Sequence, residues 1–169
     1  MDGFKIEPDP SFAFVRTELV REVAVAECPH MGTSRDVADY ARRELLARYT
    51  DKEAFWALLL DGKHRLMAAN LVSVGTLTAS LVHPREVYRP AIAQGACAII
   101  LVHNHPSGDP DPSPQDLALT ERLVAAGALL DIRILDHVIV GRGRYTSLRD
   151  AGLWPSTPVK SIRSVGFEC

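Results

Sequence analysis

The chain has 169 residues, 47% of them hydrophobic and 24% charged, which is the ordinary balance of a single globular domain. Its 19 basic and 21 acidic side chains give a formal net charge of −2, so we expect no direct binding to nucleic acid. The sequence contains no run of 18 apolar residues that suits a transmembrane helix, and its three widely spaced cysteines form no disulfide framework. We therefore expect a cytoplasmic protein that does not bind membranes.

The two ends of the sequence differ in composition from its middle. Residues 1–13 combine prolines with acidic side chains and predict a flexible lead, whereas residues 154–169 combine prolines, serines and basic side chains and predict a tail. Residues 14–153 between them form the predicted domain. Its first segment, Phe14 to Ala24, fits a strand or a helix, because its apolar spacing does not distinguish the two periods.

The first half of the predicted domain contains one helix and one hairpin. Ser34 is a suitable N-cap, and apolar residues at helical spacing follow it, which predicts a helix over Arg35–Arg48. The apolar run Glu53–Asp61 predicts a buried strand. An Asp-Gly-Lys turn at its end predicts a hairpin with the returning strand Arg65–Val74.

Two further helices are predicted, each with a proline at the first helical position, where a missing backbone N–H costs nothing. They cover Pro84–Gln94, with His83 as the cap, and Pro114–Ala126. Gly95 and Gly127 are expected to end them, because glycine readily adopts the conformation that follows a helix.

The remaining strands are continuous apolar runs, which are typical of a sheet covered on both faces. They cover Ala96–Val102 and Ile132–Val140, and a short element over Tyr145–Ala151 closes the domain. Strands and helices therefore alternate along the chain. This pattern predicts an α/β fold with a central mixed sheet and helices packed on it.

The segment after the third predicted strand carries the groups best suited to chemistry. His103 and His105 are two residues apart at a strand end, so their imidazoles point to the same side. Ten residues stiffened by Pro110 and Pro112 separate them from Asp116, in the first turn of the next helix. Two histidines and one carboxylate are a typical ligand set of a catalytic zinc ion, with the fourth position left open for water.

Two other residues are candidates for catalysis. Ser113 fits the N-cap of a capping box with Asp116, and its hydroxyl could also donate a hydrogen bond to a developing oxyanion. A hydrolytic site needs a base as well. Among the upstream carboxylates, Glu53 stands out because it opens a buried strand that could run beside the strand ending at His103.

These residues resemble a known pattern. Glu53, the His103-x-His105 pair, Ser113 and Asp116 stand in the order and spacing of the JAMM motif of JAB/MPN-domain metalloproteases. The longer stretch around HNHPSGDPDPSPQD resembles the RadC family of bacterial JAB-domain proteins, and the similarity extends over residues 14–153. Full-length RadC proteins usually carry an N-terminal helix–hairpin–helix region, to which nothing in this chain is similar.

The resemblance implies a cytidine-deaminase-like three-layer α/β/α sandwich, the JAB/MPN domain. It implies Zn²⁺ held by His103, His105 and Asp116, with Glu53 as the base that activates water and Ser113 near the oxyanion. Members of the wider superfamily cleave peptide or isopeptide bonds, often next to ubiquitin-like proteins. The implied activity is that of a zinc-dependent metallopeptidase or isopeptidase acting on a protein or peptide, such as a ubiquitin-like conjugate.

Two other functions compete with this one. The domain could be a non-catalytic JAB-type binding module, although a decayed site would be expected to have lost one of these residues. It could also be a DNA-repair-associated accessory protein, which the traditional label of the family suggests and the net charge disfavours.

Three further features of the sequence bear on the site. His137 is interpreted as a structural histidine in an apolar strand rather than a fourth ligand, and Asp136 beside it could orient a site histidine. Asn104 is expected to be a hydrogen-bonding scaffold residue. The uncharged segment Asn70 to Val82 could pair with an extended peptide substrate, or it could be an ordinary edge of the sheet.

Overall fold

A computed structural model of the protein describes residues 28–75 and 82–156. In chain order its elements are α1 (Ser34–Tyr40), continued by a π-helical turn (Ala41–Leu45), β1 (Glu53–Leu60), β2 (Leu66–Gly75), α2 (Pro84–Ala93), β3 (Ala98–Asn104), α3 (Pro114–Leu130), β4 (Arg133–Val140) and β5 (Tyr145–Ser147). No helix in these two ranges is long and apolar enough to cross a membrane. The predicted lead at residues 1–13 and the segment Phe14 to Ala24 lie outside the described residues.

The five strands form one mixed sheet in the order β2-β1-β3-β4-β5. β3 lies at its centre, antiparallel to β1 and parallel to β4. Every residue of β3 is buried, including the polar residues His103 and Asn104 at its end. β2 forms one edge of the sheet and pairs with β1 so that Gly75, at its end, lies opposite Glu53.

Helices cover both faces of the sheet and enclose two hydrophobic cores. On one face α1 and its π-helical turn pack over Leu58, Leu60 and other apolar side chains of the strands. On the other face α2 and α3 pack over the alternate residues of the same strand, including Phe55 and Leu59. The prediction of an α/β/α sandwich around a central mixed sheet is confirmed.

The first helix differs from its prediction at both ends. Its N-cap is Thr33, not Ser34: the Thr33 hydroxyl accepts a hydrogen bond from the Asp36 backbone at 3.2 Å, and the Asp36 carboxylate accepts one from the Thr33 backbone at 2.9 Å. Both residues are good caps, but only Thr33 has an acidic partner three residues on. The helix ends in a π-helical turn at Leu45, before the predicted end at Arg48.

The helix α3 shows why one predicted end was wrong. Gly127 does not stop the helix, which continues to Leu130 and is capped by Asp131 in the left-handed conformation, with φ of 55°. A Cβ atom at Gly127 would lie 2.4 Å from the Tyr88 hydroxyl oxygen and 2.5 Å from the Ile132 carbonyl oxygen. Glycine is needed here for close packing between elements and not for the end of the helix.

The central strand begins and ends two residues later than predicted, over Ala98–Asn104 rather than Ala96–Val102. Pairing with β1 continues as far as His103, opposite Phe55, and pairing with β4 continues as far as Asn104. The two polar residues therefore belong to the strand, because His103 has backbone partners in both neighbouring strands and Asn104 has one in β4. Similarly, the predicted closing element has strand structure only over Tyr145–Ser147.

Candidate metal centre

Three elements bring the predicted site residues together at one end of the central strand. His103 lies in β3, and His105 follows it directly, held by a hydrogen bond of 3.1 Å from its backbone to the Val140 carbonyl oxygen. Glu53 opens the neighbouring strand β1. Asp116 is the third residue of α3, whose first turn faces the same end of the sheet.

The ligand atoms of these four side chains all lie within 4.8 Å of one another. The Nε2 atoms of His103 and His105 are 3.0 Å apart. The Asp116 carboxylate approaches them with Oδ1 at 3.3 Å from His103 and Oδ2 at 3.5 Å from His105. Glu53 is slightly farther away, with its Oε1 at 3.7 Å from each Nε2 atom.

These separations fit a zinc ion. Tetrahedral zinc with bonds of about 2.0–2.1 Å requires ligand atoms about 3.3 Å apart. The separations of 3.0, 3.3 and 3.5 Å among His103, His105 and Asp116 scatter around that value. Two imidazoles and a carboxylate are also donors that zinc accepts. The chain therefore offers three convergent ligands of the right kind, with Glu53 beside them.

The Asp116 carboxylate is held by the start of its own helix. The Ser113 hydroxyl and backbone N–H both donate to Asp116 Oδ2, at 2.6 and 2.8 Å, and the hydroxyl oxygen accepts from the Asp116 backbone at 3.2 Å. Burial raises the pKa of Asp116, but the hydrogen bond with His105, the electrostatic interaction with the His103 ring and the hydrogen bonds from Ser113 outweigh burial and lower it overall. The carboxylate is thus ionised and oriented toward the histidines.

The two histidines have different environments. Burial, together with the neighbouring His137, lowers the pKa of His103 well below its ordinary value. The hydrogen bond with Asp116 raises the pKa of His105, although partial burial opposes it. The His105 Nδ1–H donates to the Asp109 carbonyl oxygen at 2.7 Å, because a carbonyl can only accept. His105 Nε2 consequently faces the cluster, and any proton on it must leave when a metal binds.

Asn104 lies between the two histidines in sequence and points to the other side of the sheet, as predicted for a scaffold residue. Its Oδ1 accepts a hydrogen bond from the Ala54 backbone at 2.8 Å. Its Nδ2 donates to the carbonyl oxygens of Tyr49 at 2.8 Å and Lys52 at 2.9 Å. The buried amide therefore ties β3 to the backbone on both sides of Glu53.

A second layer of polar side chains lies behind His103. His137 Nε2 is 2.8 Å from His103 Nδ1, and Thr120 Oγ1 is 2.6 Å from His137 Nδ1. The interpretation of His137 as a structural histidine agrees with its full burial. Asp136 does not touch the ring: it accepts a hydrogen bond from the His137 backbone at 2.7 Å. Thr120 was not predicted, although a hydroxyl four residues after Asp116 shares its side of the helix.

A groove of about 360 Å³ opens beside His105. It runs between the loop after β3 and the chain that follows α1, and it is lined on its two sides by the cationic side chains of Arg42 and Arg142. Of the four cluster residues, only His105 is among those that line this groove.

Comparison with known proteins identifies the relatives of this chain. A profile of the RadC-like JAB domain matches residues 31–153. A UPF0758 protein of Desulforudis audaxviator is 52% identical over 126 residues, covering 75% of this chain and 54% of the relative. A UPF0758 protein of Geobacter sulfurreducens is 59% identical over 102 residues, covering 60% of this chain and 44% of the relative.

A UPF0758 protein of the archaeon Methanosarcina mazei is 52% identical over 105 residues, covering 62% of this chain and 46% of the relative. The chain spans about half the length of the curated relatives it matches. The profile match includes all four residues of the cluster and every strand of the sheet. Fold, site and sequence agree, and the chain belongs to the RadC-like JAB domain family.

Proposed function

We propose that this protein is a zinc-dependent hydrolase of peptide or isopeptide bonds. The observation that carries the proposal is the convergence of His103, His105 and Asp116 at separations suited to zinc, with Glu53 3.7 Å from both imidazoles. A second carboxylate adjacent to a His₂Asp ligand set is the arrangement that hydrolysis by activated water requires. Membership of the JAB family supports the same activity.

His103, His105 and Asp116 would hold the zinc ion. When bound, zinc lowers the pKa of water to about 7 and polarises the scissile carbonyl. The chain supplies three features that this chemistry needs: a buried neutral imidazole, an ionised carboxylate fixed by Ser113, and partial exposure of the His105 and Glu53 side chains to solvent.

Glu53 would act as the general base and then as the general acid. Its carboxylate takes one proton from the attacking water as the new C–O bond forms. It then delivers that proton to the amine nitrogen as the C–N bond breaks, while the second proton of water stays on the new oxygen, so that the products are a carboxylic acid and an amine. The Glu53 side chain is 18% exposed, which leaves room for both water and the leaving group to approach it.

Ser113 is the candidate for assisting the oxyanion. Its hydroxyl donates to Asp116 Oδ2 at 2.6 Å. To serve the oxyanion the hydroxyl would have to redirect this hydrogen bond, and the backbone N–H of Ser113 would continue to hold Asp116 at 2.8 Å. The capping role is thus the observed one, and the oxyanion role is part of the proposal.

The substrate is proposed to be an extended segment of a protein, such as the junction with a ubiquitin-like protein. The edge strand β2 supports this class, because its last residue, Gly75, lies opposite Glu53 in the sheet. Among the described residues no strand covers the outer side of β2. A peptide added there would run toward the cluster. Within the segment Asn70 to Val82, residues 76–81 lie outside the described residues.

Two measurements test the proposal. Elemental analysis of protein purified without chelator should give about one zinc per chain, as a single three-ligand site requires. Hydrolysis should then be measured on ubiquitin-like isopeptide conjugates and on linear peptide fusions, with Glu53→Gln as the inactive control. Absence of zinc, with no uptake when zinc is added, would refute the site. One bound zinc without cleavage of either substrate would favour the non-catalytic binding module.

A further inference from the structure

We propose that Thr120 and His137 are positioning residues that fix the tautomer of His103, so that its Nε2 atom presents a lone pair to the metal cluster. A chain of three buried hydrogen bonds carries the inference. It joins the Asp116 carbonyl to the Thr120 hydroxyl, that hydroxyl to the His137 ring, and the His137 ring to the His103 ring. The inference rests on the proposed metal site and deepens it by assigning the groups that prepare one ligand.

The first link fixes the direction of the Thr120 hydroxyl. Thr120 Oγ1 is 2.6 Å from the Asp116 carbonyl oxygen, one turn earlier in α3. A carbonyl oxygen cannot donate, so the single hydroxyl hydrogen must point to it; otherwise two oxygen lone pairs would face each other at that distance. Thr120 has no second hydrogen, and toward any other neighbour it can only accept.

The second link fixes the tautomer of His137. His137 Nδ1 is 2.6 Å from Thr120 Oγ1, and since that oxygen can only accept, Nδ1 must carry the proton. In a neutral imidazole the other nitrogen is then an acceptor. His137 is fully buried, and burial disfavours the charged form of an imidazole, so the ring is neutral.

The third link fixes the tautomer of His103. His103 Nδ1 is 2.8 Å from His137 Nε2, which is an acceptor, so His103 carries its proton on Nδ1. His103 Nε2 is consequently left with its lone pair, and this is the atom that lies 3.0 Å from His105 Nε2 and 3.3 Å from Asp116 Oδ1. Each proton position follows from the one before it.

His103 needs such a device because it has no access to solvent. Its side chain is 0% exposed, and the Phe55 ring stacks against it with centroids 5.9 Å apart. An exposed histidine can exchange tautomers through water, whereas a buried one takes the tautomer that its fixed neighbours dictate. Asp116 contributes twice to the same site. Its carboxylate belongs to the ligand set, and its backbone carbonyl accepts the first hydrogen bond of the series that ends at His103.

The experiment compares Thr120→Val with Thr120→Ser. Valine removes the hydroxyl while keeping the shape of the side chain, so His137 can carry its proton on Nε2 instead of Nδ1. His103 Nδ1 must then accept, and His103 carries its own proton on Nε2, the atom that faces the metal cluster. Loss of such a supporting hydrogen bond typically weakens metal binding by about 10- to 100-fold. Zinc affinity is measured by competition with a chelator, and Thr146→Val in β5 serves as the control for the same change elsewhere.

A second readout does not depend on zinc. In the metal-free protein, nitrogen-15 NMR of the imidazole rings distinguishes a protonated from an unprotonated ring nitrogen. We expect wild type and Thr120→Ser to carry the His103 proton on Nδ1 and to bind zinc with similar affinity. Thr120→Val should move the proton to Nε2 in part of the molecules and bind zinc more weakly.

The two readouts separate the inference from the proposed function. A wild-type His103 protonated on Nε2 would overturn the inference without any variant, even if Thr120→Val failed to fold. An unchanged zinc affinity in a folded Thr120→Val would also overturn it. If wild type binds no zinc but shows the expected tautomers, the assignment of the hydrogen-bond chain stands and the proposed function fails.

Discussion

The Asn104 side chain connects the strand that carries His103 to the segment that carries Glu53, and its removal gives the most demanding test of the site. Asn104→Ala deletes three hydrogen bonds, to Ala54, Tyr49 and Lys52. All three partners are backbone groups, so they cannot turn toward other partners without moving the chain. The variant therefore tests stability and the placement of the general base at once.

The magnitude follows from these contacts. Each hydrogen bond contributes about 1 kcal/mol net, and a buried backbone group left without a partner costs about 1–3 kcal/mol. Removing the 2.8 Å bond from the Ala54 N–H, together with the two carbonyl contacts, should thus lower the free energy of unfolding by about 3 kcal/mol. For a chain of this size, that corresponds to a fall in Tm of about 6–12 °C.

The matched control is Asn70→Ala. Asn70 is half-buried in β2 and makes one longer hydrogen bond, 3.3 Å to the Glu86 carbonyl oxygen, so its loss should cost about 1 kcal/mol or less. Urea unfolding gives both values. Zinc content should survive in Asn104→Ala, because His103 remains in β3, whereas turnover should fall as Glu53 loses its anchored neighbours. Equal stability of the two variants would refute this account of Asn104.

Three other outcomes are expected. Glu53→Gln should retain zinc while turnover falls by about 10²- to 10⁴-fold; loss of zinc would instead make Glu53 a ligand. Zinc at a thousandfold excess over its Kd should stabilise the fold by about 4 kcal/mol, and His105→Ala should abolish the Tm difference between zinc-loaded and chelated protein. Gly127→Ala should lower the free energy of unfolding by about 1–3 kcal/mol through overpacking against Tyr88 and Ile132, although alanine is the better helix former. A higher free energy of unfolding in urea than that of wild type would contradict the packing argument.

The sequence predicts those parts of the fold and site that depend on local patterning. Three of the four residues in the cluster stand within 14 positions of one another, on a strand, a loop and a helix that were each predicted from their own residues. Glu53 is distant in sequence, but it opens an apolar run that predicts a buried strand, and the structure pairs that strand with β3. Local patterns therefore go far toward locating the candidate metal centre.

Errors arise where contacts between distant elements override local preference. At Gly127 the local preference of glycine indicates the end of a helix, but the deciding contact is the Tyr88 hydroxyl from another helix, which donates to the Leu123 carbonyl oxygen at 2.8 Å. The same holds for the end of β3. His103 and Asn104 are polar, yet two neighbouring strands keep them in the sheet.

The hydrogen-bond chain behind His103 depends on a feature that no local pattern reveals. In a regular strand His137 and Ile134 would face opposite sides of the sheet, because they are three residues apart. The pairing of β3 with β4 skips Leu135, so that Ile99 lies opposite Ile134 and the next residue lies opposite Asp136.

One extra residue in a strand reverses the side to which all following residues point. Ile134 faces the core beneath α2 and α3, and the bulge at Leu135 turns His137 to that same face, where Thr120 and His103 lie. The Leu135 carbonyl, displaced from the ladder, accepts a hydrogen bond from the Arg149 side chain instead. A regular β4 would direct the His137 ring to the other core, leaving His103 Nδ1 without its partner. The bulge is thus the structural reason why a histidine in an apolar strand reaches the proposed zinc ligand.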